Sequence, residues 1–163
     1  MTSPEPTGRA DLPSGVSLAS DRCVREPTPE IGILEVQLNA DGRSDPIFAG
    51  MPATQKVLQW HSVQVAQLPD DAVVLAGSNV CRVQAMRAGA NAWSMQYHVE
   101  VESDTVSNWC EVPAYRDALE ATLGAGGLAE MQADAAENMA GFFANAEHLY
   151  GNFRRLASRY GQG

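Results

Sequence analysis

Ala92-Trp93-Ser94-Met95-Gln96-Tyr97-His98-Val99-Glu100-Val101 is the stretch on which the reading of this 163-residue chain turns. Ala92 to Tyr97 is mostly apolar, carries the aromatics Trp93 and Tyr97, and contains neither Gly nor Pro, which predicts a short core strand. His98 and Glu100 follow at i and i+2, a spacing that puts both side chains on one face of extended backbone. A carboxylate beside an imidazole fixes its tautomer and stabilises its protonated form, as acid–base catalysis requires. Taken locally, the plainer account is a strand-end histidine satisfied by a solvated glutamate. The rest of the chain has to decide between the two.

Composition narrows the classes. Hydrophobic residues make up 45% and charged residues 19%, the balance of a globular chain long enough for one domain with a core. A net charge of -9 argues against nucleic acid or an anionic membrane as a partner held by general electrostatics. Three cysteines without C-x-x-C spacing suit a reducing cytoplasm better than a disulfide framework. The N-terminus has no signal-like apolar region and no run is long enough to span a bilayer, so a cytoplasmic location is expected. With no phosphate-cradling glycine motif and no metal-ligand spacing around His61, neither a cofactor nor a metal is expected.

Residues 1–22, with Pro4, Pro6, Gly8, Pro13 and Gly15 among polar side chains, read as a disordered tail. Ile33 to Leu38 alternates as a half-buried strand, Asn39 to Arg43 reads as a turn, and Asp45-Pro46 starts a loop or a single helical turn. Lys56 to Val65 and Ala72 to Gly77 are further strands. Val80 to Met86 and Ala92 to Tyr97 are expected to pair antiparallel across Ala88-Gly89-Ala90-Asn91, with Arg82 and Arg87 solvated. Ser103 or Asp104 can cap a helix through Cys110, and Pro113 can open another through Leu123. From Leu128 to Tyr160 apolar residues recur at helical steps, predicting one long amphipathic helix with possible breaks at Gly141 or Gly151.

Gln96-Tyr97-His98-Val99-Glu100-Val101 resembles the Q-F-H-P-E-V signature of class I glutamine amidotransferase domains. Pro29-Glu30-Ile31-Gly32, Asp45-Pro46-Ile47-Phe48-Ala49-Gly50-Met51-Pro52, Gln59-Trp60-His61-Ser62, Leu75 to Cys81 and Val83 to Arg87 are similar, in order, to that family's P-E-I-G, D-P-L-F-x-G-L-P, Q-W-H-x-D, L-A-x-S-x-x-C and Q-A-F-R segments. The resemblance covers Cys23 to Tyr160 and leans toward domains similar to the amidotransferase part of GMP synthetase. It implies an α/β fold: part of a flavodoxin-like, three-layer sheet with a C-terminal helical extension, over residues 23–163. It also implies chemistry in which a cysteine thiolate attacks the side-chain amide of glutamine, giving a glutamyl thioester and ammonia. His98 would be the acid and base, Glu100 its orienting partner, and His61 a structural or groove-lining residue near the substrate.

Two departures stand out. The family's nucleophile lies in a G-x-C-x-G turn ahead of P-E-I-G, whereas this sequence has no such motif and only 28 residues before Pro29. Val99 also replaces the proline of H-P-E, which is expected to loosen the turn that presents Glu100. The expectation is therefore an N-terminally truncated amidotransferase-like chain that is inactive alone, with glutamine as substrate only when the missing half is supplied. Loss of early strands would leave an open edge and an apolar face, predicting self-association or a complementing chain. Two other readings stand beside it. One is a non-catalytic binding or regulatory domain; the other is a cysteine hydrolase or peptidase using Cys23, Cys81 or Cys110 against His98.

Overall fold

A computed structural model describes residues 23–160, so the tail expected over residues 1–22 lies outside the described residues. The strands are β1 (Cys23–Leu38), β2 (Thr54–Val65), β3 (Ala72–Gly77), β4 (Ala85–Ala88) and β5 (Ala92–Met95). They form one sheet in the order β2-β1-β3-β4-β5, antiparallel at every pairing. The helices are α1 (Ala40–Ser44), α2 (Thr105–Trp109), α3 (Pro113–Leu123) and α4 (Gly127–Tyr160), with a 3-10 turn at Pro46–Phe48. The mixed α/β class read from the sequence is the class observed.

Alternation along β1 and β2 divides two apolar clusters between the faces of the sheet. Val36 and Leu38 of β1 and Val57 of β2 pack with Ile47, Phe48, Leu75, Tyr97 and, from the far end of α4, Leu156. Ile31 of β1 and Leu58 of β2 pack with Val106, Leu119 and, from the near half of α4, Met131 and Phe142. The 34-residue α4 is unbroken and contributes to both clusters. Gly141 and Gly151 do not interrupt it, because the apolar stripe on either side is already anchored in the cores.

Several elements differ from expectation. The segment Ala92 to Tyr97 is not the buried core strand expected: β5 ends at Met95 and lies at the sheet's edge, with Ala92 and Ser94 exposed and Trp93 and Met95 half-buried. Only Tyr97, beyond the strand, is fully buried. Val80 to Gln84 is a loop rather than the start of β4, because Cys81 and Gln84 turn inward to polar partners while Val80 is left 59% exposed. Asn39 to Arg43 winds into α1 instead of an open turn. The Asn39 carboxamide accepts from the Gly42 N–H at 2.8 Å and donates to the Val74 carbonyl at 2.7 Å, capping the helix and tying it to β3. Gly42 is needed there, since a Cβ would come 2.0 Å from the Leu75 carbonyl oxygen. Arg87 is not a solvated cation. It donates to Asp45 at 2.8 Å, and the buried Asp45 also accepts from the Trp93 indole at 3.0 Å and the Ile47 N–H at 3.0 Å.

A candidate active site at the sheet edge

Beyond β5 the chain bends through Gln96 and Tyr97 and returns to the outer side of β2, where His98 N–H donates to the Leu58 carbonyl at 2.9 Å. That single antiparallel bridge, Leu58↔His98, anchors the histidine backbone. His98 Nδ1 and Glu100 Oε1 are 2.7 Å apart, so the i and i+2 residues do meet. An ionised carboxylate can only accept, so Nδ1 carries the proton and neutral His98 presents Nε2 as its basic nitrogen. Nε2 has no hydrogen-bond partner among the described residues.

The replacement of proline by Val99 has the opposite effect to the one expected. A proline has no N–H, whereas the Val99 N–H donates to Glu100 Oε2 at 3.0 Å and pins the carboxylate from its second oxygen. Partial burial acts to raise the Glu100 pKa. The His98 hydrogen bond, the backbone N–H groups of Glu100 and Val99, and the charge of His98 outweigh it, holding the carboxyl below its usual range. On its other side the His98 ring meets Trp109 of α2, centroids 4.6 Å apart at 70°. Trp109 packs in turn on Trp60 of β2, at 5.4 Å and 77°, and Trp60 on Tyr115 of α3.

His61 belongs to a different constellation. Trp60 and His61 are successive on β2 and point to opposite faces, so Trp60 reaches the His98 side while His61 turns to the buried Glu30. Glu30 accepts from Ser78 Oγ at 2.8 Å and from Gln84 Nε2 at 2.6 Å, and its Oε2 lies 3.5 Å from His61 Nε2. His61 Nδ1 donates to the Val63 carbonyl at 3.0 Å, which leaves Nε2 to face Gln84 and Glu30. In the sequence, Glu30, Ser78 and Gln84 stand out only as members of motifs, and Trp109 does not stand out at all. Trp109 sits three residues after Val106 and next to Cys110, helical spacing that marks a core-facing residue but not its contact with His98.

Of the three cysteines, Cys23 is exposed and Cys81 and Cys110 are buried, and none is a hydrogen-bond partner of His98 among the described residues. Cys81 donates to the Val83 carbonyl and accepts from the Gln96 amide. Burial pushes the Cys110 thiol up, with Arg116 pulling against it and Glu120 reinforcing it, which disfavours a resting thiolate. No group of potential metal ligands occurs among the described residues, and no described helix is long and apolar enough to cross a membrane. Beside the pair runs an apolar groove of about 520 Å³ between β5 and α4, lined by Trp93, Met95, Val99, Leu149, Tyr150 and Phe153, with Glu100 at its rim.

The fold is an α/β domain with an antiparallel sheet and a carboxylate-paired histidine beside its edge strand. The sequence profile described as "Glutamine amidotransferase class-I" matches residues 19–108, and the chain belongs to that family. It is 31% identical over 71 residues to a glutamine-hydrolysing GMP synthase subunit from Natronomonas pharaonis, covering 43% of this chain and 39% of the relative. It is 32% identical over 80 residues to the GMP synthase subunit of the same description from Thermoplasma acidophilum, covering 48% and 38%. Among solved structures, a glutamine amidotransferase from Thermotoga maritima superimposes with a TM-score of 0.68 at 25% identity, covering 80% of this chain and 54% of that one. A glutamine amidotransferase from Methylobacillus flagellatus, at 20% identity and a TM-score of 0.66, shares the fold over 82% of this chain and 55% of its own. The matched stretch thus spans under two fifths of these curated relatives and about half of these solved chains.

Proposed function

We propose that this chain supplies the acid–base half of a glutamine-hydrolysing site. His98 Nε2 takes the proton from a cysteine thiol and later returns it to the leaving ammonia, while Glu100 holds the imidazole in the required tautomer. The 2.7 Å Nδ1–Oε1 contact with Nε2 left open is the observation that carries this reading. The thiol is supplied from outside residues 23–160, by a further segment or a partner chain, because His98 has no thiol partner among the described residues. The apolar groove ending at Glu100 is the surface such a segment would cover, and its exposure in the chain alone favours self-association or a complementing chain. The described residues alone do not turn over glutamine. His61 contributes indirectly, as part of the buried cluster behind the site. Three free cysteines suit cytoplasmic chemistry.

The test is ammonia release from glutamine, measured for the chain alone and for the chain fused behind the nucleophile-bearing half of the Thermotoga maritima amidotransferase. No release is expected from the chain alone, and release from the fusion is expected to fall by about 100-fold or more in His98→Ala. A folded fusion without activity, or activity indifferent to His98→Ala, would overturn the reading.

A further inference from the structure

We propose that Trp109 is a positioning residue for His98, its indole fixing the rotation of the imidazole so that Nε2 faces the reacting centre. The proposal rests on the reading of His98 as the acid and base. Glu100 alone is a weak restraint, because its side chain is 68% exposed. A solvent-exposed pair shifts an equilibrium by no more than about fivefold, and salt reduces that further. Free imidazole favours the proton on Nε2, the tautomer in which that nitrogen cannot act as a base. A second restraint is needed to hold the other form.

Trp109 is built to be one. Its ring meets His98 edge to face at 4.6 Å, and it is backed by Trp60 at 5.4 Å. The short helix that carries it is fastened at both ends. Thr105 Oγ1 accepts from the Glu102 N–H at 2.8 Å, and Arg116 of α3 donates twice to the Cys110 carbonyl, at 2.7 and 3.0 Å. Gln132 of α4 adds a bond to Ser107 at 2.8 Å. Rotation of the imidazole about its Cβ–Cγ bond would break this T-shaped contact part-way, so the packing resists reorientation of the ring. Glu100 then sets which nitrogen carries the proton.

The experiment is nitrogen-15 NMR of the full chain, with the His98 signals assigned by their loss in His98→Gln. In the unsubstituted protein Nδ1 should resonate as the protonated nitrogen and Nε2 as the bare one, with proton contacts between the His98 and Trp109 rings. Trp109→Leu should shift the neutral population toward the Nε2-protonated form by about threefold or more, and Trp109→Phe should retain the original tautomer. Tyr115→Leu, which loosens Trp60 without touching His98, should leave it unchanged. Equal tautomer populations in Trp109→Leu and the unsubstituted protein would overturn the proposal, as would an equal shift in Tyr115→Leu. Should Trp109→Leu fail to fold, missing ring contacts or a mixed tautomer in the unsubstituted protein would overturn it without any variant. These signals do not depend on turnover. Failure of the fusion assay therefore removes the glutaminase reading, whereas an unmoved tautomer removes only the role of Trp109.

Discussion

Glu30 and Glu100 each face a histidine, Glu30 from a position 4% exposed and Glu100 through a side chain 68% exposed. Both oxygens of Glu30 accept from neutral donors, Ser78 and Gln84, and its Oε2 also lies 3.5 Å from His61 Nε2. Glu100 is bonded at 2.7 Å to a ring whose far nitrogen has no partner among the described residues. The buried carboxylate joins β1, β2 and the loop after β3, so its contacts act as a clamp. The exposed one accepts from an imidazole and from the neighbouring Val99 N–H, and leaves the far nitrogen of that ring open. The same two residue types tie a scaffold together in one place and leave a ring nitrogen open in the other, and burial separates the two.

Removing the buried carboxylate should have the larger effect. Glu30→Ala removes the acceptor of the Ser78 hydroxyl and the shortest partner of the buried Gln84 amide, at a cost of about 2 kcal/mol. Urea unfolding should show the midpoint falling with an unchanged slope. Glu30→Gln keeps the shape and one acceptor, and should lose less. A loss under about 1 kcal/mol in Glu30→Ala would mean that water replaces the carboxylate and that the cluster is not a clamp.

The His98–Glu100 pair was legible because its geometry is local: two positions apart, in any near-extended backbone, the side chains meet. The Glu30 cluster joins residues 48 and 54 positions apart, and no spacing rule reaches that far. Arg87 read as solvated for the same reason, since its partner Asp45 lies 42 residues earlier. The strands of the sheet were visible in alternation and apolar runs, and so was the pairing of β4 with β5, but how deeply a strand is buried depends on its neighbours, and β5 is less buried than its apolar residues suggest. The consequence of Val99 was hidden too. A missing proline suggests looseness until the structure shows which acceptor its N–H has found.

Gln59 sharpens the contrast between satisfied and unsatisfied burial. Its side chain is fully buried in β2, yet neither its amide nitrogen nor its oxygen has a partner among the described residues. Such a group carries its full desolvation cost. Gln59→Leu, close in volume and without polar atoms, should therefore stabilise the chain by about 1 kcal/mol, read as a higher urea midpoint. A destabilisation would show that the amide has a partner beyond the described residues or an ordered water.

The smallest effect should come from the exposed pair. The Glu100 pKa lies below its unfolded value, so its contribution to stability is fully present above the ordinary carboxylate range and is lost as pH falls through the folded-state value. Because the side chain is largely in water, that contribution is under about 1 kcal/mol and weakens with salt. Glu100→Gln should unfold almost as the unsubstituted protein does on the acid side and slightly more easily at neutral pH. Val99→Pro removes the donor on Oε2 and should move the acid-side loss upward toward the ordinary range. Stability measured against pH for the three proteins checks both. A difference between Glu100→Gln and the unsubstituted protein that persists below the folded-state value of Glu100 would show that the carboxylate is held by packing rather than by its charge. The exposed pair would then be a second clamp and the contrast with Glu30 would collapse.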